Sequence, residues 1–175
     1  MGFWSGIFKA KDGESVHQQV NAAGVLRDEE GWYYEESQNF SRTQSTVRVE
    51  QQRPGDWEIL ESSCGIVALN NAKRIEDVAR FFSGSYRWLR LEREVSGFQA
   101  NHVIKVIGTY RDKSGEERAT HLGFLKQELG EDLEGENVLE MWPRIRFIRF
   151  PSPGRGSKYV VRFDLMRKEG IRRIA

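Results

Sequence analysis

Two stretches near the C-terminus alternate cations with apolar residues: Arg144-Ile145-Arg146-Phe147 and Ser157-Lys158-Tyr159-Val160-Val161-Arg162-Phe163. Side chains two apart on a strand share a face, so Arg144 and Arg146 project together, as do Lys158 and Arg162. If the two strands pair through a hairpin at Pro151 to Gly156, the four charges converge on one surface with Arg155 at its tip. Arg149 extends the basic run. Like charges gathered without acids repel one another, which subtracts from stability and suits an anion site.

The wider charge distribution points the same way. From Trp142 to Ala175 there are ten Lys and Arg against two acids, Asp164 and Glu169, a net +8 in a chain whose total is +1. Residues 1–141 therefore carry −7. Such segregation raises the local potential and selects the charge of a partner. Catalytic patterns are absent: there is no Walker loop, no G-x-G-x-x-G, no H-E-x-x-H and no G-x-S-x-G. His102 and His121 flank strands without a paired acid at telling spacing, and the acids of 128–136 read as the solvated face of a short helix. The expectation is a non-catalytic protein with no metal and no cofactor.

One cysteine, Cys64, excludes an intrachain disulfide, a cysteine-rich zinc site and a C-x-x-C redox pair. That favours a reducing, cytoplasmic setting. No apolar run approaches the roughly 20 residues of a membrane span. The N-terminal Phe3-Trp4-Ser5-Gly6-Ile7-Phe8 is a candidate contact for a protein partner.

The elements that must position these residues follow from apolar periodicity. Residues 10–30 read as a surface helix or a loose arm. Gly31–Tyr34, Ser45–Val49 and Trp57–Leu60 are short β-branched or aromatic runs that read as strands. A soft boundary at Pro54-Gly55 divides an N-terminal extension, 1–55, from a main domain, 56–175. Ile75, Val78, Ala79 and Phe82 recur at helical spacing after Asn70-Asn71, a plausible N-cap, which predicts a helix over 72–82. A turn follows at Asp112-Lys113-Ser114-Gly115, a strand near 119–125, and a short acidic helix from Lys126 to about Leu133. The fold class is mainly β with two short helices (α+β). The architecture expected is an OB-like small β-barrel or a strongly curved antiparallel sheet.

The central hairpin reads R-E-V-S-G-F-Q-A-N-H-V-I-K-V and is followed by H-L-G-F-L-K-Q-E-L. It resembles the HIRAN domain over about residues 60–135, through Leu91, Arg93, Glu94, Ile104, Val106, Gly123, Leu125, Glu128 and Leu129. Val95, Gly97, Phe98, Ala100 and His102 stand where the family has its loop prolines, asparagines and aspartate, and Val103 where it has alanine. The resemblance implies an OB-like barrel that captures the free 3′ end of single-stranded DNA. Its loop falls here on Phe98, Gln99 and His102, with Lys105 on the next strand.

That task needs a cationic groove and flat side chains for bases to stack on. Lys105, Arg144, Arg146, Arg149, Lys158 and Arg162 would form the groove. Phe98, Tyr86, Trp88, Phe124 and Trp142 would be its platforms. The expected function is a nucleic-acid-binding module for single-stranded DNA or DNA ends. A protein-interaction module on the same barrel is the alternative.

Overall fold

The computed structural model describes residues 5–9, 15–21, 25–27, 29–41, 44–94, 103–151 and 158–170. The fold is mainly β. Residues 10–30 are not helical where described: after β1 (Ser5–Lys9) the chain forms β2 (Ser15–Asn21) and β3 (Val25–Arg27). These lead through a meander into β4 (Tyr33–Ser41) and β5 (Gln44–Gln52). Then come β6 (Trp57–Gly65), α1 (Ile75–Ser83), β7 (Ser85–Arg93), β8 (Ile104–Arg111), β9 (Glu117–Phe124) and α2 (Gln127–Asp132). The chain closes with β10 (Trp142–Phe150) and β11 (Val160–Lys168).

Two antiparallel sheets result. One has eight strands in the order β1-β2-β3-β4-β5-β10-β11-β6, the other three in the order β7-β8-β9. Neither closes on itself among the described residues, so antiparallel sheets are present without the expected barrel closure. The β10–β11 hairpin is inserted between β5 and β6, two strands consecutive in the chain. The intervening turn arches over the hairpin: the Glu169 N–H donates to the Asp56 carbonyl at 2.8 Å, and Trp57 packs edge-on against Trp142 at 5.6 Å. Pro54-Gly55 is thus a turn inside one sheet, and β4 and β5 belong to the same sheet as the basic strands.

Alternation explains the core. Tyr34, Val47, Val49, Ile145, Ile148, Val161, Phe163 and Leu165 of the large sheet are all buried. They join Leu89, Leu91, Ile104, Val106 and Leu122 of the small one in a single cluster. Helix α1 wedges between the sheets, with Phe81 edge-on to Tyr110 at 6.1 Å and Phe82 against Tyr159 at 4.4 Å and Phe150 at 5.3 Å.

The helix starts later than its sequence suggests. Asn70 is not its N-cap, because its amide is committed to both the N–H and the carbonyl of Tyr159, each at 2.9 Å. Asn71 instead closes the preceding turn through the Lys73 N–H at 2.9 Å.

The C-terminal end of α1 is held by the buried Arg87 of β7. Its guanidinium donates to the carbonyls of Phe81 (3.0 Å) and Phe82 (2.6 Å) and pairs with Glu36 of β4. Tyr34 donates to Glu36 and accepts from the Arg87 N–H at 3.0 Å. Burial and the Glu36 carboxylate raise the Tyr34 pKa well above its ordinary value, so the phenol stays a donor. This network ties the N-terminal strands to the rest of the molecule. No helix among the described residues is long and apolar enough to cross a membrane.

Candidate functional site

The basic strands pair with each other, as their alternation predicts. Arg144 lies opposite Asp164, Ile145 opposite Phe163, and Phe147 opposite Arg162. Arg146 has no partner in that register. It is the extra residue of a β-bulge, which turns two successive side chains to one face. Ile145 and Ile148 both remain fully buried as a result, while Arg146 and Phe147 both face outward.

On that outer face lies a groove of about 970 Å³. Its cationic wall comes from Arg48 of β5, Arg144, Arg146 and Arg149 of β10, and Arg162 of β11, with Phe147 among them. Its acids are Glu35, Glu50 and Asp164. The groove follows a split in the sheet. β5 and β10 are laddered only between Ser45–Arg48 and Phe147–Phe150. Beyond that, the buried Gln51 side chain fills the gap. It accepts from the Ile145 N–H at 3.0 Å and donates to the Arg87 carbonyl of β7 at 2.7 Å.

The arginines are not alike. Asp164, with its side chain nine-tenths buried, accepts from Arg144 at 2.9 Å and from the Ser63 N–H at 3.1 Å, and its oxygen lies 3.7 Å from Arg146. The expectation of a charge cluster free of acids is therefore wrong. Asp164 sits on the same alternation as Arg162, and the hairpin register brings it opposite Arg144. Among the described residues Arg162 reaches only the Ser63 carbonyl, at 3.4 Å. Arg149 leans on Phe147, its guanidinium carbon 5.6 Å from the ring centroid. The Nε atoms of Arg144 and Arg149 are buried without a hydrogen-bond partner.

Of the other residues singled out from sequence, Lys105 lies on β8 of the small sheet, paired with Glu94 at 2.8 Å and away from the groove. Lys158 is exposed just before β11 and does not line it. Phe98, Gln99, His102 and Arg155 fall outside the described residues.

Four expected platforms are committed elsewhere. Trp142 is buried at 4% exposure, Tyr86 and Trp88 pack on Tyr34, and Phe124 packs on His121 at 4.8 Å. Arg48 and Phe147 are among the groove residues that were missed. Arg48 is visible as the outward member of Val47-Arg48-Val49, but nothing local says that β5 adjoins β10. Phe147 was concealed by the bulge. Among the described residues no three His, Cys, Asp or Glu side chains gather as metal ligands would.

Compared with known proteins, the chain matches no protein-family model, no curated protein and no solved structure.

Proposed function

We propose that this chain is a non-catalytic nucleic-acid-binding module that takes single-stranded DNA in the arginine groove. The observation that carries this is the convergence of Arg48, Arg149 and Arg162 on one concave face, none with an ion-pair partner among the described residues. Guanidinium groups left over in a cleft suit phosphate, which they can hold bidentately. Concavity favours one strand over two, because duplex readers insert a protruding helix or ribbon into the DNA groove, whereas single strands lie in cationic channels.

A HIRAN-like, OB-like domain over residues 56–175, with the resemblance itself over about residues 60–135, is part of the same proposal. What supports it is that Leu91, Ile104, Val106 and Leu125, all positions of the resemblance, are buried together there. The single, buried Cys64 fits a cytoplasmic setting.

Fluorescence anisotropy with single-stranded, duplex and end-blocked oligonucleotides across a salt series tests the function. Single strands bind, and log K falls with log salt by about 0.7 per phosphate neutralised. Replacing Arg48, Arg149 and Arg162 together by Ala lowers that slope by about 2 units while leaving the melting temperature nearly unchanged. A triple variant that binds like the parent refutes the proposal.

A further inference from the structure

Register sets one aromatic ring between two cations. Phe147 of β10 is the direct cross-strand partner of Arg48 on β5 and of Arg162 on β11. The three residues form a single row across the sheet, the outer two separated by two strand spacings, roughly 10 Å. The row exists because of the bulge at Arg146. Without it, Phe147 would follow Ile145 into the core and the row would hold no ring.

Phe147 is half-buried, lies outside the buried cluster and lines the groove beside five arginines. A ring in that position contributes little to folding. The Arg149 guanidinium lies over the ring, its carbon 5.6 Å from the centroid.

We infer that Phe147 is a base-stacking platform, and that a single strand of DNA crosses the sheet along this row, at right angles to β10. Its phosphates are held by Arg48 and Arg162 on either side of the stacked base. This rests on the proposed function and adds to it a platform residue, a strand direction and a requirement for an unpaired base. Phosphate recognition alone needs no ring, and a base inside a duplex offers no free face. The charge of the row suits a polyanion, and the ring between its cations suits one whose charges alternate with flat apolar groups.

The test uses the full chain and three labelled probes at low salt: a short single strand, the same strand with abasic residues throughout its centre, and its duplex. The parent prefers the intact strand to the abasic one by about 5- to 150-fold, the range spanned by stacking of one base. F147A erases that preference and binds the abasic strand as the parent does; F147W restores it. Melting curves establish that each variant is folded. Should F147A fail to fold, the parent's own preference for the intact strand decides.

The inference is overturned if the parent shows no such preference, if F147A loses the same factor on both single strands, or if the duplex binds as tightly as the single strand. It is overturned equally if polyglutamate displaces the probe as well as unlabelled DNA does, which assigns the groove to an acidic protein. An RNA strand bound more tightly than its DNA counterpart overturns the choice of DNA. In the first two cases the proposed function stands. If the parent binds none of the probes, the function falls with the inference.

Discussion

Asp164 determines what the neighbouring arginines are free to do. Its side chain is nine-tenths buried, and Arg144 at 2.9 Å is its principal counter-ion, with Arg146 more distant at 3.7 Å. Removing Arg144 leaves a buried carboxylate underpaired. That is far more damaging than deleting a free surface cation, whose loss goes almost unnoticed. R144A is therefore expected to cost about 2–4 kcal/mol, below the full penalty for a buried pair because Arg144 keeps some contact with water.

D164N combined with R144A recovers part of the loss, since an amide is tolerated where an unpaired carboxylate is not. Urea unfolding of the four members of the cycle measures the coupling, and a value near zero contradicts the account. The same logic separates the arginines by role. Arg144 belongs to the scaffold of the groove, while Arg48, Arg149 and Arg162 remain available to a ligand. Alternation along β11 already placed Asp164 on the face of Arg162. That it meets Arg144 depends on the pairing register of β10 and β11.

Strand β10 shows how an element can be legible and still misread. The run Arg144-Ile145-Arg146-Phe147-Ile148-Arg149-Phe150 has strand composition, but strict alternation would bury Arg149 and expose Ile148. The two adjacent apolar residues, Phe147 and Ile148, are the trace of a phase slip, and the bulge resolves it by burying both isoleucines. By contrast, nothing in Val49-Glu50-Gln51-Gln52 marks Gln51 as the residue that fills the split between β5 and β10. Its role is set by strands distant in sequence. Q51A removes the hydrogen-bond partner of the Ile145 N–H and of the Arg87 carbonyl at a buried position and should cost about 1–3 kcal/mol. Q51M, which restores volume without the bonds, should recover only a minor part. Denaturant unfolding gives the loss, and faster amide exchange at Ile145 localises it.

At the scale of the whole molecule, periodicity revealed the fold class, the two helices, the turn at Asp112–Gly115 and the basic hairpin, because each is encoded within a few residues. It did not reveal the strand order, in which β10 and β11, last in the chain, separate β5 from β6. That insertion makes the segment before Pro54 two things at once. The described contact between β3 and β4 is a ladder of two residue pairs, Leu26 with Tyr34 and Arg27 with Tyr33, so β1, β2 and β3 are a thin margin on the large sheet. β4 and β5 are different: they bring Tyr34, Val47 and Val49 to the core, Glu36 to Arg87, and Gln51 to the split.

Two truncations should therefore behave oppositely. Removing residues 1–30 turns β4 into the edge strand and keeps every described residue of the buried cluster, so the melting temperature should fall by only a few degrees and the groove should keep its affinity for single strands. Removing residues 1–55 strips Arg87 of its buried counter-ion and uncovers one side of β10, a combination of losses comparable to the entire stability of a domain. That variant should show no cooperative melting. Differential scanning calorimetry on both decides it: a cooperative transition in the longer truncation would mean that β4 and β5 are dispensable, and collapse of the shorter one would place β1–β3 in the folding unit.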